Sequence, residues 1–152
     1  MKLDRRTLRI LMIAIAALAL VVVACTCTSF IPSGGGQSCG PDGGDGYSTT
    51  GCYSISVGSS GTGTLSSLFE AHNWSMQGTS GQTITVRASG QGDCDPRVKL
   101  IDSSGNVLAE DDDSGGGANG RDALFSTTLP ADGTYYLRVD VFQTGTYTLT
   151  VN

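Results

Sequence analysis

From Gly51 to the carboxyl end, apolar side chains fall at every second position. Tyr53, Ile55 and Val57 alternate with serines, and His72, Trp74 and Met76 with Asn73 and Ser75. Ile84 and Val86 alternate with Thr83, Thr85 and Arg87, and Tyr135, Leu137, Val139 and Val141 with Thr134, Tyr136, Arg138 and Asp140. Tyr147, Leu149 and Val151 alternate with threonines. A β-strand turns successive side chains to opposite faces, so each run offers one face to a core and one to water. Gly78–Gly81, Ser103-Ser104-Gly105-Asn106, Pro130-Ala131-Asp132-Gly133 and Thr144-Gly145 supply turns between the runs. Val98–Asp102 and Val107–Glu110 predict a hairpin across the Ser-Ser-Gly turn, and Ala123–Thr128 one more strand. About eight short strands predict an all-β fold, an antiparallel β-sandwich of jelly-roll type over residues 51–152. Leu65-Ser66-Ser67-Leu68-Phe69 alone hints at helical spacing and is too short to form a helix.

The amino end reads differently. Lys2, Arg5, Arg6 and Arg9 precede an unbroken apolar run from Ile10 to Ala24, the pattern of an export signal over residues 1–24. At ~1.5 Å per residue such a run reaches about 22 Å, short of a ~30 Å hydrocarbon core, which disfavours an uncleaved span. Val22-Val23-Ala24-Cys25 resembles the lipobox of bacterial lipoproteins. That resemblance implies that Cys25 becomes the lipidated first residue and that the partner at this end is a membrane, held through a lipid anchor. Residues 25–50, with Ser33-Gly34-Gly35-Gly36 and Gly40-Pro41-Asp42-Gly43-Gly44-Asp45-Gly46, read as a Gly/Ser-rich tether. Export sets an oxidising compartment. Cys27, Cys39, Cys52 and Cys94 are then candidates for disulfides, in any of three pairings.

Charge narrows the function classes. The chain has a formal net charge of −5, and four of its nine Lys and Arg residues lie in the export signal. The folded part is therefore strongly acidic, which excludes a nucleic-acid partner. All 22 glycines follow the signal, which argues against a helical bundle.

Trp74-x-Met76, Gly81-Gln82-Thr83-Ile84-Thr85-Val86, Asp95-Pro96-Arg97-Val98-Lys99-Leu100 and Gly105-Asn106-Val107-Leu108 succeed one another, followed by Asp111-Asp112-Asp113. Leu129-Pro130-Ala131-Asp132-Gly133-Thr134-Tyr135 and Gly145-Thr146-Tyr147-Thr148-Leu149 complete the series. In this order the segments resemble the bacterial pre-peptidase C-terminal domain over roughly residues 64–152. That family is related to collagenase collagen-binding domains and is often appended to secreted peptidases. The resemblance implies a β-sandwich, which in some members binds calcium. Here only the signal and tether precede it, so an activity belonging to a fused peptidase is not expected to carry over.

Glu110-Asp111-Asp112-Asp113 runs into Ser114-Gly115-Gly116-Gly117 and on to Asp122. Adjacent carboxylates repel, and calcium, which takes six to eight oxygens, would relieve them. Asp93, Asp95, Asp111, Asp112, Asp113 and Asp122 are accordingly the candidate calcium ligands, against the plainer reading of a solvated acidic loop guarding a sheet edge. His72 is the sole histidine, and its phase with Trp74 and Met76 places it and Trp74 in the core. A Ser-His-Asp set would need His72 exposed beside a serine and a carboxylate. The one Gly-x-Ser-x-Gly string, Gly36-Gln37-Ser38-Cys39-Gly40, falls in the Gly-rich tether and not at a strand-to-helix elbow, and neither His-Glu-x-x-His nor a phosphate-cradling Gly-x-x-x-x-Gly-Lys is present. Tyr136 and Arg138, out of phase with the core, are expected to form a small exposed recognition patch.

These readings converge on an exported, membrane-anchored, non-catalytic lipoprotein whose sandwich binds an extracellular protein or polysaccharide. The alternatives are a peptidase-associated accessory module, a hydrolase or inhibitor, or a structural spacer of the envelope.

Overall fold

The computed structural model describes residues 39–152. The expected export signal, Cys25, Cys27 and the first part of the expected tether lie outside the described residues.

Nine strands form in chain order: β1 (Ser48–Ser54), β2 (Ser59–Leu65), β3 (Glu70–Gly78), β4 (Thr83–Gly90), β5 (Asp95–Asp102), β6 (Val107–Asp111), β7 (Ala123–Thr128), β8 (Gly133–Gln143) and β9 (Gly145–Val151). They make two sheets, a five-stranded one ordered β1-β3-β8-β5-β6 and a four-stranded one ordered β2-β9-β4-β7. Strands β2 to β9 pair antiparallel throughout, and their order in the two sheets is that of a jelly roll. β1 is an addition, laid parallel against β3 at the sheet edge.

The period of two decides the inner faces. Trp74 pairs with Leu137 and His72 with Val139 across β3 and β8. Val98 pairs with Val139 and Leu100 with Leu137 across β5 and β8. These side chains meet Ile84, Val86, Tyr147, Leu149 and Val151 of the opposite sheet in one buried cluster. The sequence pattern misses β2. Its inward positions, opposite Leu149 and Tyr147, are Gly61 and Gly63. A Cβ on Gly61 would lie 2.2 Å from the Trp74 ring, and one on Gly63 would lie 2.5 Å from the Tyr147 hydroxyl. Neighbouring aromatics already fill the space a side chain would need, so the alternation disappears where the packing is tightest. The Tyr53-Ile55-Val57 run is correspondingly not one strand: β1 ends at Ser54, Ile55 is buried, and Tyr53 and Val57 are exposed. Leu65 closes β2 and is fully buried, while Leu68 and Phe69 lie in the following loop.

The tether expected to reach residue 50 is shorter. Residues 48–50 already belong to β1, and residues 39–47 lie across the outer face of the five-stranded sheet and are fixed there by Arg138. Its side chain is completely buried, contrary to the expected exposed Tyr136–Arg138 patch. Arg138 Nε and Nη2 donate to the two oxygens of Asp45 at 2.7 and 2.9 Å. Nη1 donates to Thr49 Oγ1 at 2.8 Å and to Asn73 Oδ1 at 3.0 Å, and Nη2 to the Tyr47 carbonyl at 2.8 Å. A guanidinium has five N–H groups, and all five are used. Lys99 Nζ reaches the same Asp45 carboxylate at 3.4 Å. Asn73 Nδ2 donates to the Cys39 and Pro41 carbonyls, extending the hold to the start of the segment. Gly40 packs on the Tyr136 ring and Gly43 on Ile101, leaving Tyr136 half-buried and Ile101 fully buried. Burial raises the Asp45 carboxyl, but the hydrogen bonds from Arg138 and Tyr47 and the charges of Arg138 and Lys99 outweigh it and hold it below the usual carboxylate range.

The same segment is closed covalently. Cys39 and Cys52 form a disulfide, their Cα atoms 5.7 Å apart. Cys94 does not join a disulfide: it is free and buried at the β4–β5 turn. The other two described cysteines, Cys39 and Cys52, are already paired with each other.

Asp45→Ala leaves the Arg138 guanidinium buried without its counter-charge, and is expected to cost about 3–5 kcal/mol of unfolding free energy in urea titration. Adding Arg138→Met to that variant is expected to recover part of the loss, because the stranded charge is then gone; a double variant as unstable as the sum of the two singles would refute the coupling.

Candidate functional site

His72 settles one reading directly. It is buried, 4% exposed, and its Nδ1 lies 2.8 Å from the Tyr147 hydroxyl. The Trp74 indole N–H donates to the same hydroxyl at 2.9 Å. Indole can only donate, so the Tyr147 oxygen accepts from Trp74 and its O–H can in turn be given to His72 Nδ1 in the Nε2–H tautomer. Burial pushes the His72 pKa below its ordinary value, with the charge of Glu70 pulling partly the other way. Tyr53 covers this cluster from β1, stacked on Trp74 at 4.4 Å and edge-on to His72 at 5.2 Å. The Nδ1 that a Ser-His-Asp set would give to its carboxylate is bonded to a core tyrosine instead, and the ring is buried, so His72 is not placed as the base of the hydrolase reading.

The acidic residues gather at one end of the sandwich but divide into two groups. Asp111 and Asp122 work inside the fold. Asp111 accepts from Ser114 Oγ at 2.6 Å, Ser114 N at 3.0 Å and Leu124 N at 2.8 Å. Burial raises its carboxyl, and these hydrogen bonds outweigh burial and keep it low. Asp122 pairs with Arg87 at 2.9 Å and accepts from Ser89 Oγ at 2.8 Å and Gly90 N at 3.3 Å. Its carboxylate occupies the place of a Cβ on Gly117, whose φ of 77° also requires glycine. Asp93, Asp95, Asp112 and Asp113 form the second group. Burial and the nearby charges of Asp113 and Asp112 raise the Asp95 carboxyl, against the opposing pull of Arg121. Arg121 is 3.8 Å from Asp95 Oδ2, while Asp95 Oδ1 is buried without a hydrogen-bond partner. Among the described residues, no three acidic, histidine or cysteine side chains converge as a metal-ligand group.

The described residues form concavities in the surface, two of which stand out. One, of about 380 Å³, lies where β1 gives way to the next turn and is lined by Ser54, Ile55, Val57, Met76, Gln77 and neighbouring polar residues, none titratable. The other, of about 450 Å³, lies at the acidic end between Leu68, Asp93, Phe142, Gln143 and Thr144. The outer face of the four-stranded sheet carries hydroxyl pairs that bond one another, Thr64 with Thr146 at 2.9 Å and Thr83 with Thr128 at 3.0 Å.

Residues 70–140 match the family model of the bacterial pre-peptidase C-terminal domain. Among solved structures, the pre-peptidase C-terminal domain of collagenase from Bacillus anthracis superposes with a TM-score of 0.54 at 22% identity, covering 66% of this chain and 94% of that one. PliG of Aeromonas hydrophila, a periplasmic lysozyme inhibitor of g-type lysozyme, superposes with a TM-score of 0.51 at 15% identity, covering 66% and 96%. At these identities the likeness is one of fold. No curated protein matches the chain.

The His72 network sets a pH dependence. An unfolded imidazole binds its proton near pH 6.5; the folded one does so only at lower pH. Unfolding therefore takes up a proton between the two values. Stability is full above about pH 6.5 and falls as the pH drops toward the folded pKa, by up to ~1.4 kcal/mol per pH unit. His72→Gln is expected to lose this component. Urea midpoints that fall equally between about pH 7 and pH 5 in both proteins would show that His72 does not carry it.

Proposed function

We propose that this chain, whose residues 70–140 are a pre-peptidase C-terminal domain, is an exported, non-catalytic binding module held at the membrane through lipidated Cys25. The observation that carries the reading is the His72–Tyr147–Trp74 network. It commits the sole histidine to the core, and what remains among the described residues is a sandwich with a stapled outer face and shallow concavities. The Cys39–Cys52 disulfide supports an oxidising compartment, and the lipobox-like Val22-Val23-Ala24-Cys25 supports the anchor. The ligand is an extracellular protein or polysaccharide. With the outer face of the five-stranded sheet covered by residues 39–47, the loop-bearing ends and the hydroxyl-rich face of the other sheet remain open to it.

A second reading, an inhibitor of a secreted hydrolase, is favoured by the fold shared with the A. hydrophila inhibitor. It is a special case of the first, with an enzyme as the protein bound. Calcium belongs to the proposal as a stabiliser of the acidic end. Asp95, Asp112 and Asp113 repel one another and Asp95 Oδ1 lacks a partner, which suits a cation there. Asp111 and Asp122 are already engaged within the fold.

In cells, Cys25→Ala is expected to abolish palmitate labelling and to move the protein from the membrane to the soluble fraction, with the domain still folded. Photo-cross-linking on intact cells is expected to join the wild-type chain to one recurrent surface protein or glycan; a blank result would favour a structural spacer. Millimolar calcium is expected to raise the melting temperature relative to chelator, and Asp95→Asn to remove the increment, since a ligand that binds only the folded state must stabilise it. Superimposable melting curves would dismiss the calcium site.

A further inference from the structure

The loop end of the sandwich exposes more large apolar surface than a plain scaffold requires. Leu68 is 45% exposed, Phe69 74% and Phe142 49%, and Leu68 and Phe142 line one concavity with Asp93. Scattered exposed apolar residues are ordinary, but those grouped around a hollow with a polar rim mark contact sites. The Phe142 ring is backed by Arg97, whose guanidinium carbon lies 5.2 Å from the ring centroid, and Arg97 is itself neutralised by Asp140. Phe142 is thus held from behind, with nearly half its surface facing solvent.

The rim is acidic. Asp93 is exposed at the mouth, Asp113 is exposed and Asp112 half-buried on the neighbouring loop. That loop is braced against the hollow: Asn119 donates to the Gly92 carbonyl, and Arg121 donates to the Asp93 carbonyl at 3.4 Å and to Gln143 Oε1 at 2.8 Å. The two nearby cations are both engaged, Arg97 with Asp140 and Arg121 with Asp95 and Gln143. An apolar floor under a carboxylate rim is complementary to a Lys or Arg side chain, whose methylene stem lies on apolar surface while its charged head seeks an anion. The same acidity disfavours the obvious rival, a membrane surface carrying anionic lipid, toward which the aspartates would be repelled.

We infer that the Leu68–Phe142–Asp93 hollow is a docking site for a cationic protein segment that presents a Lys or Arg side chain beside an apolar one. This rests on the binding-module reading above and names the chemistry of its partner. The test uses the full chain in non-ionic detergent, followed by amide NMR shifts. Three probes are compared: a short peptide alternating Lys and Leu, one alternating Glu and Leu, and one alternating Lys and Ser. The Lys/Leu peptide is expected to shift Leu68, Asp93 and Phe142–Thr144, more tightly than either other peptide and less tightly as salt is raised. The pair Leu68→Ser and Phe69→Ser, both in an exposed loop, is expected to weaken it by about tenfold, and Asp93→Asn by about threefold. Unchanged affinity in both variants, equal binding of the Glu/Leu peptide, or no shifts at the hollow would overturn the assignment. Broadening of Leu68 and Phe69 by a lipid-borne spin label in phosphatidylcholine nanodiscs would overturn it in favour of a lipid surface. None of these outcomes touches the binding-module reading, which stands or falls on the cell-surface cross-linking.

Discussion

The exterior of this domain is organised around one buried guanidinium. On the outer face of the five-stranded sheet, Lys99 and Arg138 are register partners on adjacent strands, so two like charges stand directly opposite each other. Such pairs are destabilising when left alone. The remedy comes from outside the sheet: Asp45 places one carboxylate between them, bidentate to Arg138 and within 3.4 Å of Lys99. Once desolvated, a guanidinium is tolerable only if every N–H is satisfied, and Thr49, Asn73 and the Tyr47 carbonyl supply the remaining three acceptors. That requirement fixes where residues 45–49 must lie, and β1 follows from it as a parallel strand beside β3. One register step away, Arg97 and Asp140 form their own paired bridge. The sheet face therefore carries a ladder of charges whose balance is completed only by the overlying segment.

This explains which parts of the structure were legible in the sequence. The jelly roll was readable because water on one side and hydrocarbon on the other impose a period of two, and strands β3, β4, β8 and β9 keep it. Strand β2 was not readable, because Trp74, His72 and Tyr147 occupy the space over its inner positions, and a glycine there is a fact about residues far along the chain. Arg138 and Asp140 were read as facing solvent. Polar alternation looks the same whether the polar face meets water or another carboxylate. Composition likewise marked residues 40–46 as tether from their glycines, since one well-placed aspartate leaves no compositional trace. At the acidic end the sequence located the carboxylates, but only the structure separates Asp111 and Asp122, used as turn and loop braces, from Asp93, Asp95, Asp112 and Asp113.

The covered face also shapes what the molecule can recognise. A sandwich offers two outer faces and two sets of loops. Here one face is occupied by the chain itself, and the other carries threonines that bond one another in pairs. Burial of His72 removes the one side chain whose ordinary pKa would suit proton transfer near neutrality. The loop end, where Leu68, Phe69, Phe142 and the acidic loop lie, stands apart from the core and exposes these side chains.

The covering segment is held by two devices that fail under different conditions, and their combination has a consequence. The Cys39–Cys52 bond spans 13 residues and limits how far the open chain can wander, an effect of about 3 kcal/mol for a loop of this size. The Asp45–Arg138 contact acts on the folded side, by removing the cost of a buried charge. A disulfide alone would tether residues 40–51 near the sheet without specifying what they cover. The ion pair alone would specify the contact while asking a glycine-rich segment to give up most of its conformational freedom. Cross-linking lowers that entropic cost before the carboxylate arrives, so the charge contact has less disorder to overcome. A chain oxidised at Cys39 and Cys52 thereby gains a completed outer face, which ties the assembly of this surface to the redox state of its surroundings.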